Sequence, residues 1–382
     1  MQSNATTSQK LPVGLKSMPI NDLKSTTYDD AEQQFIALIE LENLDKKIES
    51  QPSLISNVEK AIATAISAAY EQESASDAAH RFLQRVLYRI NRLKLFWYDD
   101  LQNYTNERSS YLRSCRDRIE EAWQQWELAQ LDVDSLQNLD VAQTLTDWVE
   151  ADVDPPISEN GRFFRDEITE AGYRRLLAIG SLDGLVEASQ LSRTLGGVAN
   201  EVQSTLTRLL LEEYGGGRLA RKHSTFFTQM LDALGMETEP EAYLDLVPWE
   251  VLATINYSFL LTERKRYFLR YMGGTLYFEV TVPAGFRPYR AAAERLELPP
   301  GATSYWDLHI KVDALHGRWM LEDVALPLVE QYPADAWELL LGYDHQRRMS
   351  DRASNAVVRA ARQAEQETIA SHANRVATPA SS

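Results

Sequence analysis

Apolar residues recur at intervals of three and four along most of this chain and almost nowhere alternate, which predicts helices rather than strands. From Tyr28 to about Asp152 the pattern is helical throughout. It takes in AEQQFIALIELENLDKKIE, then SLISNVEKAIATAISAAYEQE, then DAAHRFLQRVLYRINRLKLFWYDD, and a helix from about Glu107 to Leu131. Phe82, Val86, Ile90 and Leu93 form one stripe, and Ser53 and Ser76 sit where N-caps belong. The segment DVDPPISENGR, 152–162, breaks the pattern with two prolines and an Asn-Gly turn signal. Helical spacing then resumes over Phe163–Ile179, Leu182–Leu195, Val198–Tyr214, Leu219–Leu234, Pro248–Arg270, Met272–Val282, Ala302–Leu326 and Ala334 to about Ala364. LYFEVTV, 276–282, is rich in β-formers but stands alone. Residues 1–28 and 367–382 are polar and aperiodic, the pattern of disordered tails. The expected fold is all-α, with helical regions 29–155 and 156–366.

Composition narrows the function classes. A net charge of −17 over 382 residues argues against non-specific nucleic-acid binding and against docking on anionic lipid. The single cysteine, Cys115, excludes an internal disulfide and a thiolate-rich metal site, and suits a reducing cytoplasm. No signal peptide and no membrane span is expected, because the longest apolar run, near Val251–Leu261, is short and carries Asn256.

Candidate chemistry concentrates in three stretches. SYWDLHIKVDALHGRW places His309, Asp313 and His316 at i, i+4 and i+7, on one helical face. Imidazole with carboxylate suits iron, manganese or zinc, and a helix carrying two polar residues and a local Asp–His pair is the plain alternative. LLLEEYGGGRLARKH offers Glu212, Glu213 and His223 around three glycines. The glycines serve either a helix end or a close backbone approach, and no phosphate-binding spacing follows them. Glu212 and Glu213 point about 100° apart, so one of them faces inward. In GGTLYFEVTVP, Glu279 is the one charge in an apolar stretch, and it is either a ligand or an exposed or ion-paired carboxylate. Arg264, Lys265 and Arg266 with Arg270 could hold a substrate carboxylate or form a solvated face. Arg113, Arg116 and Arg118, set among acids, look like a solvated face, and His80 has no second ligand beside it.

These motifs resemble the haem-oxygenase-like diiron oxidases and oxygenases, the iron-containing redox enzymes. The family's His-x-x-x-Asp-x-x-His is met by His309, Asp313 and His316, its acidic–glycine–His segment by EEYGGGRLARKH, and its second-helix carboxylate by Glu279. The resemblance covers about 163–362. It implies a haem-oxygenase-like helical bundle binding two Fe ions through Glu213, His223, Glu279, His309, Asp313 and His316. Glu187 is either the counterpart of a further carboxylate that some N-oxygenating members carry on an earlier helix or, the favoured reading, an ordinary surface glutamate. It also implies O2 as co-substrate, a small organic substrate such as a carboxylic or amino acid, an external electron donor and a homodimer. The N-terminal region is then either an accessory helical region or a set of extra helices packed on the core. Tyr277, Phe278 and Trp306 suggest an apolar pocket. The competing readings are a non-catalytic helical binding or scaffold protein and a haem-binding protein.

Overall fold

A computed structural model describes residues 27–72, 76–96, 101, 105–197 and 200–377, with side chains as far as 370. The polar N-terminus, 1–26, and the last five residues, 378–382, lie outside the described residues. Everything described is helix or connection, with no strand among the described residues, and the fold is all-α.

Sixteen α-helices follow one another among the described residues. The first seven are α1 Tyr28–Ile39, α2 Leu44–Ser50, α3 Ser56–Ile66, α4 Asp77–Arg92, α5 Ser110–Leu128, α6 Val133–Gln137 and α7 Val141–Val153. After the proline segment come α8 Glu159–Arg162, α9 Glu170–Gly184, α10 Glu201–Glu213, α11 His223–Ala233 and α12 Trp249–Thr262. The last four are α13 Phe268–Arg295, α14 Ser304–Trp319, α15 Leu326–Gln331 and α16 Trp337–Ala377. Side-chain oxygens cap many of the N-termini: Ser76 accepts from the Ala79 amide and Asn200 from the Gln203 amide.

Several boundaries differ from the periodic pattern, each for a local reason. The first expected helix breaks at Asn43, which takes left-handed dihedrals between α1 and α2. Ser53 lies inside a short 3₁₀ turn that starts at Pro52, so it caps nothing. The expected Leu182–Leu195 helix does not exist. Helix α9 ends at Gly184, and a turn with Ala188 at φ 61° leads to a 3₁₀ segment. LYFEVTV lies in the middle of α13, a helix of 28 residues that runs on through Pro283 and Pro288. Burial on several sides outweighs β-propensity there. Helix α16 continues past Glu367 to Ala377, a stretch that carries three alanines and holds no glycine or proline before Pro379. Arg116 is buried rather than solvated, and it ties α5 to Glu263 at 2.6 Å.

Packing centres on α13, which lies against α14 on one side and α16 on the other. Glycines set how closely these helices approach. A Cβ at Gly273 would collide with the Leu339 carbonyl, and one at Gly342 with the Arg270 carbonyl. At Gly317 a Cβ would meet the Glu279 carbonyl oxygen at 3.1 Å, so α14 crosses α13 beside Glu279. One apolar cluster runs from Ala31 and Phe35 of α1 through Leu83 and Trp123 to Leu260, Leu276 and Leu339. Side chains from both sides of the 152–162 segment thus fill the same core. No helix among the described residues is long and apolar enough to cross a membrane.

Candidate metal centre

Four elements deliver the candidate ligands. Helix α10 ends at Glu213, and Gly215, Gly216 and Gly217 follow with φ of 64°, 63° and 77°. Three consecutive left-handed residues fold the chain back on itself, a path open to glycine and costly to other residues. A Cβ on Gly215 would collide with the Arg221 carbonyl carbon, so the loop closes by direct backbone approach. The glycines therefore end a helix and admit a close contact. The result is that His223, the first residue of α11, places Nδ1 2.8 Å from Glu213 Oε2 although ten positions separate them.

Helix α14 adds His309, Asp313 and His316, all buried. His309 Nδ1–H donates to the Tyr305 carbonyl at 2.9 Å, which leaves Nε2 facing inward, 3.1 Å from both His223 Nδ1 and Glu187 Oε1. His316 Nε2–H donates to Glu212 Oε2 at 3.2 Å, which turns Nδ1 toward Glu279 Oε2 at 3.2 Å, Glu213 Oε1 at 3.4 Å and Asp313 Oδ1 at 3.5 Å. Such outer hydrogen bonds fix which ring nitrogen is free to bind a cation.

The ligand-capable atoms fall into two groups: Glu187, Glu213, His223 and His309, and then Glu213, Glu279 and His316, each lying within 4.8 Å of one another. Glu213 belongs to both. These groups hold five of the six residues expected from the sequence, and Glu187 joins them from the turn after α9; Asp313 stands outside both groups, its Oδ1 3.5 Å from His316 Nδ1. Of the two adjacent acids Glu213 is buried, while Glu212 is partly exposed and orients His316 from outside.

The cluster crowds buried carboxylates and imidazoles together. Burial, followed by the charges of Glu187 and Glu279, pushes the Glu213 carboxyl well above its ordinary range. Burial and the Glu279 carboxylate do the same to Asp313. Burial opposes charge on His309, yet the Glu187 carboxylate carries its pKa up to about 9, while burial and His309 together hold His223 down to about 4. Asp313 Oδ1, His316 Nδ1 and Glu187 Oε2 are buried with no hydrogen-bond partner, although buried polar atoms are normally paired. A set of four carboxylates and three imidazoles with inward orphan atoms fits hard or borderline cations.

Beside the cluster lies a cavity of about 300 Å³, onto which Glu187, Glu213, Glu279, His309 and Asp313 open. Leu191, Leu261, Tyr271, Phe278, Val282 and Phe286 supply its apolar wall. Of the three aromatics expected there only Phe278 lines it. Tyr277 packs on Tyr343, and Trp306 lies in a core cluster with its Nε1–H donating to Tyr173 Oη at 2.8 Å. The basic run lines no part of the cavity. Arg264 pairs with Glu120 at 2.5 Å and Arg270 with Glu338 at 2.6 Å.

Comparison with known proteins agrees with this geometry. Residues 174–351 match the model of a family described as iron-containing redox enzymes. That segment, just under half of the chain, is similar to the iron-containing redox enzymes. It contains all seven clustered residues, and the similarity makes iron the metal to expect and oxidoreduction the class of chemistry. Over 150 residues, 39% of this chain, the protein is 31% identical to the nitrosourea synthase of Streptomyces achromogenes subsp. streptozoticus. The chain spans about a third of that relative's length, 32%.

Sequence reasoning missed Glu212 as the residue that orients His316. It also missed Tyr305, whose hydroxyl donates to Glu187 Oε1 at 2.5 Å, and Asp183, which is open to the cavity. Burial, then the neighbouring Glu187 carboxylate, push the Asp183 carboxyl up to about 6. Glu212 was visible as the partner of Glu213 and Tyr305 stands four residues before His309, but only the fold shows what either holds, and Asp183 carries no motif signal.

Proposed function

We propose that this protein is a non-haem diiron oxidoreductase that uses O2 to oxidise a small organic substrate bound in the cavity beside the cluster. One observation carries the reading. Glu213 turns one oxygen to His223 of the first group and the other to His316 of the second, as a carboxylate shared by two cations does. Glu187, His223 and His309 would complete one iron, and Glu279, His316 and Asp313 the other. When bound, the two irons supply the electrons and the Lewis acidity needed to reduce O2 next to the substrate.

The protein's own groups orient and shield. The Tyr305 carbonyl and Glu212 fix the His309 and His316 rings, and the Tyr305 hydroxyl holds Glu187. Phe278, Phe286 and Leu261 keep the space over the cluster apolar. A haem protein needs one axial imidazole and a flat apolar slot, whereas this cavity faces five carboxylates. A pure scaffold would have no use for buried carboxylates with unpaired atoms. The similarity to a nitrosourea synthase adds weight to oxidation at nitrogen as the outcome. The buried Cys115 and the absence of a membrane-crossing helix among the described residues are compatible with a cytoplasmic location.

Anaerobic ferrous titration tests the reading. Two irons per chain are expected for the native sequence, falling to one or none in His309→Ala and His316→Ala with far-ultraviolet circular dichroism retained. His80→Ala should load normally, because His80 is stacked on Trp249 away from the cluster. A native protein that takes up no iron, or a His80 variant that loses it while His309→Ala does not, refutes the assignment.

A further inference from the structure

The cavity carries one charge that the metal cluster does not use. Asp183 stands in the last turn of α9, open to the cavity, with no ion pair among the described residues. Its chain neighbour Glu187 joins the metal group one turn later. The four carboxylates of the cluster, Glu187, Glu213, Glu279 and Asp313, carry four negative charges if all are ionised, and two ferrous ions would balance them. Asp183 is then the uncompensated charge on the wall, accessible to whatever enters the cavity.

The neutral polar wall points the same way. Thr275 donates its hydroxyl hydrogen to the Tyr271 carbonyl at 2.9 Å, and Gln346 donates its amide to Ser350 Oγ at 3.3 Å. Ser258 directs its hydroxyl at the Thr254 carbonyl. All three line the cavity; Thr275 and Ser258 have their one hydroxyl hydrogen engaged away from it and offer lone pairs, while Gln346 offers its carbonyl oxygen and a second N–H. No lysine or arginine lines the cavity among the described residues. The arginines that might have clamped a carboxylate, Arg264 and Arg270, are paired with Glu120 and Glu338.

We propose that the cavity selects a small substrate bearing a protonated nitrogen group, an amine, amidine or guanidine, which pairs with Asp183, and that it rejects anionic carboxylates without such a group. This deepens the diiron reading, on which it rests for the position of the reacting end of the substrate. Asp183 is a specificity residue here, and a carboxylate at that place converts wall polarity into a charge preference.

Calorimetric titration of the anaerobic ferrous-loaded protein with n-butylguanidinium, n-butylammonium and pentanoate tests it, with iron per chain measured on the same samples. At least one cation should bind ten-fold or more tightly than pentanoate. Asp183→Asn should remove that preference, Asp183→Glu should keep most of it, and both variants should hold the native iron content. Pentanoate binding as well as the better cation, or Asp183→Asn binding the cation within two-fold of the native protein, overturns the proposal. Loss of iron in Asp183→Asn also overturns it, since Asp183 would then act at the metals. The two readings fail separately: a protein that binds no iron but prefers the cation through Asp183 sinks the diiron reading alone, and an iron-loaded protein without that preference sinks this one alone.

Discussion

Single residues carry costs that can be checked directly. Gly215 and Gly216 share nearly the same left-handed φ, but a Cβ at Gly215 meets backbone, whereas at Gly216 nothing lies within 4 Å. Gly216→Ala should cost about 1 kcal/mol, from dihedral strain alone. Gly215→Ala adds a steric clash, should cost about 3 kcal/mol or more, and should weaken iron loading by parting Glu213 from His223. Urea denaturation of the two variants side by side separates the terms; equal losses would mean the close approach has no role. Away from the cluster, Glu127 accepts from Trp123 Nε1 at 2.9 Å and pairs with Arg352 and His345. Burial would raise its pKa, but the hydrogen bond from His345 and the charge of Arg352 win and hold it down to about 2. A depressed carboxylate stabilises the fold above its unfolded pKa of about 4.5, and that contribution drains away as pH falls toward 2. Glu127→Gln should therefore cost about 3 kcal/mol at pH 7, and the gap from the native protein should narrow between pH 4.5 and 2. A gap that stays constant over that range counts against the ion-pair account.

At the scale of elements, much of the fold was legible and the breaks were not. Period-3.6 spacing identifies the helices because each buries one stripe, as Phe82, Val86 and Ile90 do on α4. It does not reveal that α13 runs through two prolines, because packing on α14 and α16 holds that helix together where local preference would end it. The candidate cluster was legible where its side chains sit at helical intervals, as on α14, and where glycines flagged the α10–α11 turn. Glu187 escaped a firm reading because it stands on a turn, where no periodicity applies. Helix crossings give the matching prediction. Gly273→Ala drives a methyl into the Leu339 carbonyl at the α13–α16 crossing and should destabilise by about 2–3 kcal/mol. Gly285→Ala on the same helix meets nothing and should stabilise by about 0.5–1 kcal/mol. Opposite signs in thermal denaturation are expected, and a stabilising Gly273→Ala would contradict the crossing.

For the whole molecule, the shared core decides what can be removed. Phe35 and Leu83 fill the same apolar cluster as Leu260 and Leu339, so residues 29–155 act less as a separate module than as one wall of the core. We expect a fragment of 156–382 to lose cooperative unfolding and to aggregate; a soluble fragment with a sharp melting transition would show the region to be a true accessory. The metal-ligand spacing has a consequence at the same scale. A helix alone offers ligands only at separations of three, four or seven, a small vocabulary that α14 uses in full. The three left-handed glycines add a separation of ten that answers to no helical period. Because that turn lets two helices each surrender one end residue to the cluster, the core-facing stripes of α10 and α11 can change freely in evolution without altering the ligand set, so long as the hairpin between them keeps its shape.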